Sequence, residues 1–105
     1  MSIFYIWLDD ERQVRVPQIV YDNSGTVWHA QDYAKCIRGI EMAAKVEDEI
    51  WIDFDHDLGY GKTGYDVAKY LVEMQIPARY QVHSMNPVGR RNIEQLLNHY
   101  GYQKF

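Results

Sequence analysis

At 105 residues and a net charge of −4, the chain is the size of one domain and lacks the basic footprint that nonspecific duplex DNA binding requires. Its single cysteine, Cys36, excludes an internal disulfide and fits a reducing compartment. No apolar run approaches the ~20 residues of a membrane span, and residues 3–8 are too short for a signal peptide, so a cytoplasmic protein without a membrane partner is expected.

Residues 3–8, IFYIWL, form a continuous aromatic and branched run, the pattern of a strand covered on both faces. Asp9 and Asp10 follow it directly. In PQIVYDNSG (17–25), Pro17 and the Asn-Ser-Gly turn leave room for a short helix at most. TVWHA (26–30) reads as a second strand. Residues 32–45 set Tyr33, Ile37, Ile40 and Ala44 at helical spacing, although Gly39 weakens the pattern. EIWIDF (49–54) predicts a third strand, closed by Asp55, His56 and Asp57. A glycine-rich loop from Gly59 to Gly64 leads to a helix over 65–75 with Val67, Tyr70, Leu71 and Met74 inward. RYQVHS (79–84) predicts a fourth strand. Asn86-Pro87 then opens a last helix, with proline in a favoured first-turn position and a core face of Ile93, Leu96, Leu97 and Tyr100.

Strands alternating with helices imply right-handed crossovers and a mostly parallel sheet, whose strand C-termini share one edge. Ligands of open α/β sheets bind at that edge. Asp9, Asp10, Asp55, His56, Asp57, His83 and Ser84 all fall there. The two acidic ends meet if the first and third strands are neighbours, and such carboxylates repel unless something positive sits among them.

These motifs resemble the receiver domain of response regulators. LDDER resembles its first-strand acidic pair, Asp55 its third-strand aspartate, and the two together imply a bound divalent cation. TGYDVAKYL resembles the next helix with its initial glycine, VHSMNP the fourth strand end with a small hydroxyl residue at Ser84, and AQDYAKCI the segment after the second strand. The implied fold is receiver-like (flavodoxin-like), a mostly parallel sheet of four to five strands. It departs from a receiver in a shortened first crossover and a truncated C-terminus, where only Lys104 stands for the receiver's lysine. His56, His83 and the string HSMNPVGRRNI are not receiver features. They resemble the receiver-like family named for cyclic-phosphate processing, a phosphoester-acting offshoot associated with RNA repair, and the resemblance covers nearly the whole chain.

Asp9, Asp10 and Asp55 are the leading metal ligands. Oxygen ligands suit Mg²⁺ or Mn²⁺, while an added imidazole shifts preference towards Mn²⁺, Fe²⁺ or Zn²⁺. The alternative for one of the first pair is to cap a turn or pair with Arg12. Asp57 would add a loop contact to the ion. Asp53 lies deeper on the strand and serves as ligand, strand cap or partner of a helix residue. His56 and His83 are candidate ligands or general acids, and Asp55 a candidate nucleophile. Ser84, Asn86 and Arg90 mark a helix start suited to phosphate, set against ordinary capping there. Lys62 in GYGKTG could reach a phosphate, although the spacing is not that of a P-loop. Tyr60 and Tyr65 could stack on a base, His29 ends a strand without a motif, and His99 is a surface residue.

The resemblance and the residues together imply a metal-dependent phosphoesterase acting on a cyclic phosphate, its partner a small phosphorylated ligand or an RNA end. A non-catalytic module binding a protein or phosphorylated ligand is the alternative. Signalling by phosphotransfer ranks third.

Overall fold

The computed structural model describes residues 2–11, 14–59 and 61–105. Every residue of β1 (Ile3–Leu8) is buried, because this strand lies inside a five-stranded parallel sheet. Its neighbours are β2 (Thr26–Ala30) and β3 (Glu49–Phe54), followed by β4 (Arg79–Val82) and β5 (Gln103–Lys104), in the order β2-β1-β3-β4-β5. That order places the topological switch point between β1 and β3. The acidic strand ends are therefore adjacent, as the expectation required.

Side chains alternate between the two faces, and the faces are covered unequally. Phe4, Ile6, Leu8, Ile50, Ile52 and Phe54 turn towards α2 (Tyr33–Lys45), α3 (Gly64–Glu73) and α4 (Pro87–His99), all of which pack on one face. Ile3, Tyr5, Trp7 and Trp51 turn the other way. They meet Val14, Val16, Phe105 and Val20 of the five-residue α1 (Gln18–Asp22). The Phe105 ring stacks on Trp51 at 4.7 Å and meets Tyr5 edge-on at 5.9 Å. A first crossover too short for a long helix leaves this second face thinly clad. Among the described residues no helix is long and apolar enough to cross a membrane.

Several inward assignments shift. The buried face of α2 is Cys36, Gly39, Ile40 and Ala43, with Ala44 exposed. The cause is Gly39, where a Cβ would stand 2.8 Å from the Trp28 indole; the missing side chain lets the ring lie against the helix. Met74 and Tyr100 are exposed rather than inward, since each is the C-cap of its helix. The fourth strand ends at Val82, two residues before Ser84, because the chain turns there towards α4.

α2, α3 and α4 end alike. Asp48, Ile76 and Tyr102 donate backbone N–H groups to Ala43, Leu71 and Leu97 at 2.9–3.0 Å, with the intervening residue left-handed. That residue is Gly101 in α4, but Glu47 (φ 60°) and Gln75 (φ 55°) in the other two. A left-handed non-glycine residue costs roughly 1–2 kcal/mol, partly offset by the entropy glycine loses on folding. Gln75→Gly should therefore stabilise the protein by about 0.5–1 kcal/mol, seen as a rise in Tm. An unchanged or lower Tm contradicts strain at this cap.

Candidate functional site

The ladder continues one residue beyond the strands. Asp9, Asp55 and His83 donate their backbone N–H groups to Ala30, Leu8 and Phe54 at 3.0, 2.9 and 2.9 Å. This fixes three candidate residues in one row at the C-terminal edge. They continue the alternation of Trp7, Asp53 and Gln81, so they belong to the thinly covered face. One ligand atom from each of Asp9, Asp55 and His83 lies within 4.8 Å of the others.

Asp9 and Asp53 are 1% and 3% exposed, a burial that carboxylates tolerate only with strong partners. His83 supplies one to each, with Nδ1 2.6 Å from Asp53 Oδ1 and Nε2 2.9 Å from Asp9 Oδ2. Ionised carboxylates only accept, so with both nitrogens so engaged the ring is an imidazolium. It stacks on Trp7 with centroids 4.1 Å apart and planes 5° apart, a contact that favours the cation. Burial pushes the His83 pKa down, but the hydrogen bonds and charges of Asp53 and Asp9 outweigh it and the net direction is up. Asp53 also lies within hydrogen-bonding reach of the Tyr5 hydroxyl (3.0 Å) and accepts from the Gln81 amide (3.1 Å). Its partners are thus strand residues, neither a cap nor a helix residue. Burial, then the Asp53 charge, raises the Tyr5 pKa, so the phenol stays protonated.

Around Asp55, burial and the negative Asp9 raise the carboxyl pKa, while His83, the Ser84 hydroxyl and the Asp57 backbone N–H pull it down without cancelling the rise. Asp9 is further held by the Glu11 N–H on Oδ1 (2.9 Å) and by His29, whose Nε2–H donates to its carbonyl oxygen (2.9 Å). His29, which no motif marked, thus positions the end of β1. A cleft of about 320 Å³ lined by Asp9, Asp10, Glu11, Asp55, Asp57, Gly59 and Met85 opens beside the row.

Because its folded pKa is raised, the stability His83 contributes is complete below its ordinary value of 6.5 and is lost as pH rises through the raised one. In chelator-treated protein the Tm advantage of the parent over His83→Gln should therefore shrink as pH rises above 6.5. A constant advantage contradicts an imidazolium between the two carboxylates.

The remaining candidates sit elsewhere. His56 follows the opposite parity: its Nδ1 lies 2.9 Å from exposed Asp57, whose pKa this contact lowers, and its ring packs over Gly89, where a Cβ would stand 2.3 Å away. Asn86 caps α4 by accepting from the Gly89 N–H (2.9 Å) and donates to Asp57 at 3.4 Å. Ser84 is buried and accepts from the Asn86 N–H. Arg90 is half exposed, 3.6 Å from Glu94 along its own helix. Lys62 lies 4.3 Å above the Tyr33 ring. Lys104 binds Glu94 at 2.9 Å and pairs with Tyr80, two residues short of the end of β4, so it does not join the cluster. Arg12 and Tyr60 lie outside the described residues. Glu11, Trp7, Gln81 and Arg15 were not singled out from sequence, and period-two alternation, of Trp7 with Asp9 and of Gln81 with His83, could have signalled two of them.

The ends of β1 and β3 adjoin, Ser84 lies beside Asp55, and a family model for the cyclic-phosphate processing receiver domain matches residues 4–99. The chain belongs to that family. No curated protein and no solved structure matches the chain. The protein is accordingly a receiver domain associated with cyclic-phosphate processing, and within this cyclic-phosphate processing receiver domain the fifth-strand lysine has no counterpart at the cluster among the described residues.

Proposed function

We propose that this domain is a metal-dependent phosphoesterase that opens a cyclic phosphodiester. The observation that carries the reading is the Asp9, Asp55 and His83 triplet, with ligand atoms within 4.8 Å, on the row that ends β1, β3 and β4. Two carboxylate oxygens and an imidazole nitrogen suit Mn²⁺, with Mg²⁺ the oxygen-preferring alternative. The donor set also has the support that metal-binding histidines require, because Asp53 accepts from Nδ1–H and turns Nε2 towards Asp9. When bound, the cation would supply positive charge to a phosphoryl oxygen and acidity to a water molecule.

The chain's own residues supply the remainder. Asp53 fixes the His83 tautomer once Nε2 gives up its proton. Ser84 orients Asp55 through its hydroxyl. Asp10, Glu11 and Asp57 line the acidic cleft and are placed to accept a proton from water there. The reaction adds one water: its oxygen forms a new bond to phosphorus, the bond to one ring oxygen breaks, and that oxygen takes up a proton.

Purified protein incubated with 2′,3′-cyclic nucleotides or cyclic-ended oligoribonucleotides should convert them to phosphomonoesters with Mn²⁺ and not with chelator, as followed by mass spectrometry. No conversion by metal-loaded protein would overturn the phosphoesterase reading, and tight binding without conversion would favour a non-catalytic module.

A further inference from the structure

A second cleft, of about 740 Å³, runs along the thinly covered face below the row. Its walls are Tyr5, Trp7, Asp53, Gln81 and His83 on the sheet and residues 14–17 opposite, and it shares Met85 with the acidic cleft. Resting on the phosphoesterase reading above, we infer that this cleft seats the base of a nucleoside phosphate whose phosphate group lies at the acidic row.

Size and position support this occupant. Small-molecule sites run from about 300 to 1,000 Å³, and this one reaches the cluster through His83 and Asp53. The short α1 leaves the space that a longer crossover helix would fill. Its chemistry is that of a base-binding slot. The Trp7 indole N–H is buried without a hydrogen-bond partner among the described residues, an arrangement rare enough to call for an acceptor. Gln81 gives one amide hydrogen to Asp53; its second hydrogen and its carbonyl oxygen form a donor–acceptor pair of the kind that matches a base edge. At the rim stands Arg15, an exposed residue with no ion-pair partner among the described residues. A guanidinium there can stack on a base or donate to its edge.

The test uses two inert phosphomonoesters, adenosine 3′-monophosphate and glycerol 2-phosphate, titrated calorimetrically into Mn²⁺-loaded protein. The nucleotide should bind at least about tenfold tighter, a difference of about 1.4 kcal/mol. Val16→Trp, which fills the cleft, should remove that advantage while leaving glycerol 2-phosphate and Mn²⁺ affinity unchanged. Arg15→Ala should weaken the nucleotide by about tenfold or more and leave glycerol 2-phosphate unchanged. Independently of whether Val16→Trp folds, the Trp7 indole N–H signal in nitrogen-edited NMR spectra should shift with the nucleotide and not with glycerol 2-phosphate. Equal affinity for the two probes, or a Trp7 signal that ignores the nucleotide, overturns the base cleft and leaves the phosphate reading standing. Binding of neither probe overturns both.

Discussion

His83→Ala should lower cyclic-phosphate turnover by about 10²–10⁴-fold, the range associated with losing a histidine that acts on a reacting proton, and should lower Mn²⁺ affinity with it. The joint loss is the informative part. A general acid lying off the metal would cost turnover alone, whereas a residue that also holds the ion takes both. Asp53→Asn separates ligand from support. Asparagine keeps the shape and can still accept from Nδ1–H, but it removes the charge that makes the imidazole a better donor to a metal. Loss of such a supporting partner typically costs about 10–100-fold in affinity or activity, so Asp53→Asn should fall short of His83→Ala. His56→Ala should leave Mn²⁺ affinity unchanged, since its ring packs over Gly89 and its Nδ1 faces Asp57. Calorimetry and initial rates on the three variants check this order. Parallel losses in His56→Ala and His83→Ala would contradict it.

Gly64→Ala should be the most damaging single methyl group in the molecule. A Cβ at this first residue of α3 would lie 2.1 Å from the Asp55 carbonyl oxygen and 3.0 Å from its carbonyl carbon, both backbone atoms that cannot rotate aside. The helix cannot retreat freely either, since Val67, Ala68 and Leu71 are buried and the Gly64 N–H donates to His56 at 2.9 Å. Overpacking costs about 1–3 kcal/mol, and backbone on both sides puts this position at the upper end. At about 4–8 °C per kcal/mol for a domain near this size, Tm should fall by about 10–20 °C. The end of β3 that carries Asp55 would shift with it, so Mn²⁺ affinity should drop as well. Gly61→Ala is the control: its backbone is left-handed (φ 94°), unlike that of Gly64, but nothing stands within 4 Å of its Cβ position, so it should cost only about 1–2 kcal/mol. Similar melting temperatures for the two variants would show that the contact at Asp55 yields.

Which features were legible in the sequence follows from where the determining information lies. β1 and β3 were readable because a strand buried on both faces is a continuous apolar run, and their acidic ends converge once they are neighbours. Strand parity, also local, assigns Asp9 to the face of Trp7. Parity likewise separates two histidines that looked equivalent: His56, flanked by two aspartates, turns to the helices, while His83, flanked by Val82 and Ser84, joins the cluster. The role of Asp53 was not readable, because it depends on the β3–β4 register that sets it opposite Gln81. The phosphate-binding reading of Arg90 followed from a helix start with a basic residue nearby, but an i to i+4 partner, Glu94, lay just as close. The helix ends at Glu47 and Gln75 carry no glycine and so gave no stop signal. Arg15 stands in a connection without periodicity or motif, and only the thin cover of the second face brings it to a cleft.

The central claim is that Asp9, Asp55 and His83 together hold one divalent cation. It is tested most directly by calorimetric titration of Mn²⁺ into the parent and into Asp55→Asn, with melting curves on the same samples. Burial and Asp9 raise the Asp55 pKa, so its charge destabilises the metal-free fold at neutral pH. Asp55→Asn should therefore melt higher than the parent without metal, bind no Mn²⁺ at the site and gain no stability when the ion is added. Equal Mn²⁺ affinity and an equal metal-induced rise in Tm in both proteins would contradict the site.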